Sequence, residues 1–499
     1  MPIIGAVLQH VVRREDFFTP STAQQMTAHP TAAGNAPPFY LPGESNQMKT
    51  RKLLSNNSRR IFMKASAVAT TGYWVAGGIA PRESRSALEE IRFGCVGVGG
   101  KGQSDSEDAE RSGKIVAICD IDDSTIAKRK ETEGFEDAAV FNDYRKMFDE
   151  VGKSIDAVTV STPDHTHAVV ASMAMKNGKA VFCQKPLTRT IYEARQLTEL
   201  AQSSKVVTQM GNQGSEAAGL REAAAKVKAG VIGDVSEVHV WTNRPVWPQG
   251  IERPAGEPVP SHIHWDEFLG PVEEREYNAA YHPFKWRGFW AFGTGALGDM
   301  ACHTMNMPFA GCDMYNPVAV QATTSGHNGE TYPGNSKIIF DFAATDKRPA
   351  LKFFWYDGGN RIEPELLEGR ERSDSGLLIV GSKGKIFSPN DYGAKYEIIK
   401  GEDKDVDYVR SPGHFKEFAN AIKANKPEAC WSNFANYAGK LTEVILLGNL
   451  AVWAAGRAKP GIASVESPRL EWDQKNLKIV GSTEYDSLIK APYRAGYEV

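Results

Sequence analysis

Residues 91–102 read IRFGCVGVGGKG, and no other stretch constrains the fold so tightly. Positions 91–98 form a short, almost continuous apolar run, the pattern of a strand covered on both faces of a parallel sheet. The run passes directly into Gly97-Val98-Gly99-Gly100-Lys101-Gly102, a GxGxxG, and then into a polar, helix-like stretch. A second apolar run, KIVAICD, ends at Asp120, roughly twenty residues beyond Gly97. These parts have separate physical tasks. The glycines let the backbone turn tightly and approach a pyrophosphate, whose charge rests on the helix N-terminus. The acid accepts hydrogen bonds from the adenosine ribose. In this order they predict a dinucleotide site in which Gly97, Gly99, Gly100, Gly102 and Asp120 hold the cofactor. A carboxylate at 120 repels a 2′-phosphate, so NAD is expected over NADP; Lys128 and Arg129 follow too far downstream to reverse that.

Strands and helices continue to alternate. IDAVTVSTP ends in Ser161-Thr162-Pro163-Asp164-His165-Thr166-His167, KAVFCQKP in Gln184-Lys185-Pro186, and KVVTQMGNQ near Asn212. Ligands of a doubly wound sheet bind beyond the carboxyl ends of its strands, so Thr162, Pro163, His165, Gln184 and Lys185 are expected along the cofactor crevice. His165 and His167 read equally well as helix-capping and loop residues. After residue 213 a helix over 216–229 leads into VSEVHVWTN, and later SKIIFDF, LKFFWYD, LLIVGSKGKIFS and AKYEII follow without intervening helices. Consecutive strands of this kind imply an antiparallel sheet. The fold expected is α/β: an N-terminal Rossmann doubly wound parallel sheet over 87–212, then a C-terminal α+β domain over 213–499 with an open, mostly antiparallel sheet. Residues 243–290 are irregular and hold Trp247, Trp265, Trp286 and Trp290. They read either as a carbohydrate-facing wall or as packing of a long insertion. Two helical stretches, HFKEFANAIKAN and NYAGKLTEVILLGNLAVWAAG, and a polar tail close the chain.

The first 86 residues read as an address. Ser58, Arg59, Arg60, Phe62 and Lys64 in SRRIFMK precede a mildly apolar stretch over 65–80, then Ser84 and Ser86, spaced for a peptidase. Spanning a bilayer takes about 20 strongly apolar residues, so this is a twin-arginine export signal, with the Tat translocase as partner and the periplasm or the exterior as destination. Residues 1–47, rich in Pro, Ala, Thr and Gln, precede the leader-like start MKTRKLL at Met48 and are expected to be an upstream extension from a misplaced start codon. No later apolar run reaches membrane length.

Composition removes other classes. A net charge of −3 leaves no basic footprint for nucleic acid. The 6 cysteines form no CxxC pair, so neither a disulfide framework nor a structural zinc is expected. His262 and His264 alternate like metal ligands but lack a third ligand at suitable spacing, and no metal is expected.

The chemistry centres on GTGALGDMACHTMN. Asp299 and His303, four apart on a helix start, share one face. Moving a hydride from a secondary alcohol requires removal of the hydroxyl proton; a histidine suits that, a neighbouring carboxylate fixes its tautomer, and a lysine stabilises the alkoxide. The ordered set GVGGKG, CDID, STPDHTH, QKP and GALGDMACH resembles the Gfo/Idh/MocA family of glucose–fructose oxidoreductases and inositol dehydrogenases, from residue 91 to the end of the chain. The resemblance implies a small carbohydrate substrate and a homo-oligomer, dimer or tetramer, joined through the open sheet. It also implies that Lys185 contacts nicotinamide ribose and substrate, and that Asp299 and His303 are catalytic with the histidine as acid/base. Gln184 stands where the family usually has glutamate, which alters how Lys185 is held. The function expected is oxidation of a secondary hydroxyl on a sugar, polyol or glycoside with tightly retained NAD. The alternative is an NAD-dependent glycoside hydrolase working by transient oxidation and elimination. A non-catalytic binding protein fits poorly with an intact Lys185, Asp299 and His303.

Overall fold

A computed structural model describes residues 90–499; the leader expected at 1–86, with its Arg59-Arg60 pair and the 1–47 extension, lies outside them. The first unit alternates β1 (Ile91–Val96), α1 (Lys101–Glu110), β2 (Gly113–Cys119), α2 (Asp123–Lys130), β3 (Ala139–Phe141), α3 (Tyr144–Val151), β4 (Ala157–Val160), α4 (Asp164–Lys176), β5 (Ala180–Cys183), α5 (Ile191–Ser204) and β6 (Thr208–Met210). All neighbouring strands pair in parallel, in the order β3-β2-β1-β4-β5-β6. The order reverses between β1 and β4, which opens a crevice at their carboxyl ends. Local chemistry starts the helices. Asp122 caps α2 by accepting from the Ser124 amide at 2.9 Å, Asp143 caps α3 from the Arg145 amide at 2.8 Å, and Thr190 with Glu193 forms a capping box on α5.

The second unit is built from α6 (Ala218–Lys228), β7 (Val235–Trp241), α7 (Trp265–Leu269), α8 (Gly295–Thr304), α9 (Asn306–Gly311), β8 (Pro317–Thr324), β9 (Ser336–Phe342), β10 (Leu351–Asp357), β11 (Gly376–Gly381), β12 (Lys385–Ser388) and β13 (Glu397–Ile399), then α10 (His414–Ala424), α11 (Gly439–Ala454), β14 (Val465–Glu466), β15 (Leu470–Asp473) and β16 (Lys478–Ile479). Its sheet runs β13-β12-β11-β7-β10-β9-β8-β15-β16, with β14 also on β8. The sheet is mixed rather than purely antiparallel, because β10 pairs parallel with β7. A parallel neighbour needs a crossover, and the long excursion between these two strands supplies it. The tail expected to be merely polar completes the sheet edge, with Leu470 and Trp472 buried. α11 is predominantly apolar and largely buried, packed on β8, β9, α8 and α5, with its buried Glu443 paired to Arg195. It joins the two units, while α10 covers the opposite face of the Rossmann sheet through Phe415 and Phe418.

The insertion over 243–290 carries its own small core around Phe268, Tyr281, Trp286 and Phe289, joined by Phe292 just beyond it. Every residue of α8 is buried. That helix touches β7 and β10 on one side and α11 on another, which presents its polar face to the Rossmann crevice.

Candidate active site

One cavity of about 1060 Å³ runs along the carboxyl ends of β1, β2, β4 and β5 and under the insertion and α8. Its floor is the turn after β1. Gly97 has φ 77°, and a Cβ there would lie 2.6 Å from the Ser161 carbonyl oxygen. A Cβ on Gly102 would lie 2.1 Å from the Gly97 carbonyl, so both positions exclude any side chain. Gly100, at φ 53°, faces open space just where α1 begins, while the Gly102 and Gln103 amides close the turn on the carbonyls of Gly99 at 2.8 Å and Gly100 at 3.2 Å. This cradle fits a pyrophosphate. Asp120 Oδ2 accepts from the Val98 amide at 2.8 Å and Oδ1 from the Asp122 amide at 3.1 Å, so its carboxylate braces the turn as well as lining the cavity. Burial pushes its carboxyl above the usual carboxylate range, against the pull of those amides.

Beneath the turn lies Asp105 of α1, 1% exposed. It accepts from Lys101 Nζ at 2.6 Å, Ser161 Oγ at 2.7 Å and Gln184 Nε2 at 2.9 Å. This network accounts for the glutamine. A buried carboxylate already present at 105 requires a donor at 184, and Gln184 Oε1 in turn accepts the Lys185 amide at 3.3 Å.

Lys185 reaches across to α8, donating to Asp299 Oδ1 at 2.7 Å and to the Asp299 carbonyl at 3.0 Å. Arg287 Nε approaches the same oxygen at 3.3 Å. Burial would raise the Asp299 carboxyl, but the two cations overcome it and hold it at about 2. His303 lies one turn further along α8, 3% exposed. Burial and the nearby Lys185 charge press its pKa well below the usual range, so the ring is neutral. The four-residue spacing does not join the pair as the helix face suggested: Asp299 spends its contacts on Lys185 and Arg287, and His303 Nδ1 is buried without a hydrogen-bond partner among the described residues. His303 lines the cavity together with Tyr392, which lies edge-on to its ring at 4.9 Å between centroids.

Thr162 and Pro163 line the cavity, as do Gln184 and Lys185. His165, expected beside the cofactor, turns away from it: its ring is buried between Phe268 and Phe292, with its nitrogens against the carbonyls of Phe268 at 2.6 Å and Phe292 at 3.3 Å. It ties α4 to the insertion, and burial lowers its pKa to about 3. His167 is likewise buried, its ring nitrogens on the Thr162 and Pro186 carbonyls. The four tryptophans divide. Trp247 and Trp286 line the cavity. Trp265 stacks on Phe268 and Trp290 on Tyr332, as packing.

Sequence reasoning passed over Asp164 and Arg287. Asp164 lines the cavity and accepts from Thr294 Oγ1 at 2.7 Å; burial pushes its carboxyl up to about 7. Its place inside the STPDHTH strand end was the available signal. Arg287 sits in the irregular insertion and carried none.

Residues 91–212 match the oxidoreductase family, NAD-binding Rossmann fold, and residues 225–499 match the C-terminal alpha/beta domain of the same oxidoreductase family. The chain belongs to the Gfo/Idh/MocA family. Among curated members it is 33% identical over 122 residues to an inositol 2-dehydrogenase of Rubrobacter xylanophilus, covering 23% of this chain and 33% of that one. It is 28% identical over 166 residues to a glycosyl hydrolase family 109 protein of Solibacter usitatus, covering 30% and 38%. The chain thus matches little more than a third of these Gfo/Idh/MocA relatives' length. The WlbA dehydrogenase of Bordetella pertussis, solved with NADH and UDP-GlcNAcA, shares the fold with a TM-score of 0.53 at 16% identity, over 75% of this chain and 100% of that one.

Proposed function

We propose that this Gfo/Idh/MocA protein oxidises a secondary hydroxyl of a sugar, polyol or glycoside on an NAD that it retains between turnovers. The observation that carries the reading is the convergence of Lys185, Asp299 and His303 on the cavity that also holds the glycine turn. A bound nicotinamide supplies the hydride acceptor. The protein's part is proton and charge management. Neutral His303 Nε2 takes the hydroxyl proton as the carbon loses hydride. Lys185, fixed by an Asp299 that stays ionised, stabilises the oxygen while negative charge develops on it. Asp120 and Asp122 line the cavity at the turn after β2, where a 2′-phosphate would meet two carboxylates; α2 brings Lys128 to the same cavity despite its distance in sequence, and one lysine against two carboxylates leaves NAD the cofactor of choice.

Retention follows from the leader. Twin-arginine export at 58–64 carries folded proteins outward, to a compartment with little free dinucleotide to exchange. A residence time that outlasts gel filtration needs a Kd below micromolar, about 8 kcal/mol or more. The chain further acts as a homo-oligomer through the outer face of its large sheet.

A second reading is redox-neutral glycoside hydrolysis, in which the sugar is oxidised transiently, eliminated, hydrated and reduced. The likeness to a glycosyl hydrolase family 109 protein supports it, as does Asp164, a carboxyl in the same cavity that burial raises to about 7, in the range of a group that gives a proton to a leaving glycosidic oxygen. Denaturing protein purified from its own compartment should release about one NAD(H) per chain and no NADP(H). Substoichiometric dinucleotide, with activity absent until NAD is added, overturns the proposal. With a glycoside panel, a keto-sugar product marks the oxidoreductase; a freed aglycone with the NAD redox state unchanged marks the hydrolase.

A further inference from the structure

The turn after β2, where an adenosine ribose sits in a Rossmann unit, is covered by chain from elsewhere. Insertion residues 262–264 lie antiparallel against it: the Asp123 amide donates to the His262 carbonyl at 2.9 Å and the His264 amide to the Ile121 carbonyl at 2.8 Å, around a bridge between Asp122 and Ile263. The two histidines that alternate like metal ligands meet acids instead, His264 Nε2 at 3.0 Å from Asp123 and His262 Nε2 at 4.0 Å from Asp122.

The last segment of the chain packs against this strap. Arg494 pairs with Asp266 of α7, and its amide donates to the Pro271 carbonyl at 3.1 Å. Three residues on, Tyr497 is 4% exposed and lays its ring on the Arg145 guanidinium at 4.2 Å, beside the β3 end of the sheet. Ile263 and Tyr497 line the same cavity as Gly97, Gly100 and Asp120. The other end of that cavity is open, where Val246, Phe284 and Tyr392 are 64%, 46% and 40% exposed.

We infer that the 262–271 strap and the 490–499 segment form a clasp over the adenosine half of the dinucleotide site, so that cofactor leaves only when the clasp undocks while substrate exchanges freely at the open end. The inference rests on the reading that this cleft holds NAD. It assigns the retention to chain segments outside the Rossmann sheet and separates the rate of cofactor exchange from the rate of turnover.

The test loads the full chain with NADH, chases with excess NAD and follows the loss of bound NADH fluorescence. Tyr497→Ala removes the aromatic wall and should speed release by roughly tenfold or more, as expected when a buried aromatic anchor is truncated and the effect falls on dissociation. Arg494→Ala removes an ion pair whose acid is mostly exposed, so it leaves the fold intact and should also speed release. Tyr497→Phe keeps the ring and should release NADH at the parent rate. Val246→Ser, at the open end, should also match the parent. Parent-like release from both Tyr497→Ala and Arg494→Ala overturns the clasp and leaves the NAD reading standing. A parent that binds no NADH overturns both.

Discussion

Replacing Gln184 with glutamate, the residue the family resemblance implies there, should damage this protein, and the damage should grow with pH. Gln184 Nε2 donates to Asp105 Oδ2 at 2.9 Å, both residues being buried. Glutamate removes that proton and sets two carboxylates in contact. Their repulsion at an effective dielectric of about 20 is on the order of 5 kcal/mol. One group will therefore take up a proton instead of tolerating the contact. Protonating a carboxyl of ordinary pKa about 4.3 at pH 7.5 costs about 4 kcal/mol, and this caps the loss. Lys101, on the far oxygen of Asp105, offsets part of it, leaving roughly 2–4 kcal/mol. Because the cost is that of holding a proton, it falls by about 1.4 kcal/mol per pH unit and vanishes near pH 4–5. Asp105→Asn alone loses a charge-assisted bond to Lys101; combined with Gln184→Glu it restores a donor facing an acceptor. The double variant should therefore recover at least about 2 kcal/mol relative to the sum of the single changes. Urea midpoints of the four proteins at pH 6 and pH 8 supply the cycle. A Gln184→Glu protein as stable as the parent at pH 8, or losses that simply add in the double variant, would refute the assignment of Gln184 as the donor that satisfies the buried Asp105 carboxylate.

Lys185→Ala and His303→Ala should each slow turnover by roughly 10²–10⁴-fold while NADH affinity, read by fluorescence titration, changes only a few-fold; turnover within a few-fold of the parent in both would remove these residues from the reaction. Asp164→Asn should stabilise the protein increasingly from pH 4 to pH 7. The carboxyl titrates at about 7 in the folded protein against a usual 3.8, so the folded state holds the extra proton and the stability this confers is lost as pH rises through that window, by about 4 kcal/mol at most. Thermal melts of parent and variant at pH 5, 6, 7 and 8 should diverge and then run parallel above pH 7; a difference independent of pH would show that Asp164 is ionised throughout.

The glycine turn was legible in the sequence because its causes are local. A buried strand, a glycine-rich turn and an acid at the next strand end all fall within one βαβ unit, and Gly97 and Gly102 pack where no Cβ fits. The helix that carries Asp299 and His303 was legible for the same reason, but its chemistry was not. Four-residue spacing specifies a shared face and says nothing about competing partners, and the partner that wins, Lys185, lies 114 residues away in sequence. The strand-end rule misassigned His165 for a related reason. It locates the first turn of α4, yet successive residues of a helix point 100° apart, so Asp164 lines the cavity and His165 is carried round into Phe268 and Phe292. The two histidines of the insertion show the limit from the other side. Their alternation marked a short extended segment that makes a single β-bridge, and only the fold could show that its partner is the acidic turn after β2. In each case the sequence specified which face a side chain takes on its own element, and the long-range pairing of elements then decided what it meets. Gln184 is the sharpest instance: read alone it is an uncharged neighbour of Lys185, and read against Asp105, 79 residues earlier, it is the donor that a buried carboxylate requires.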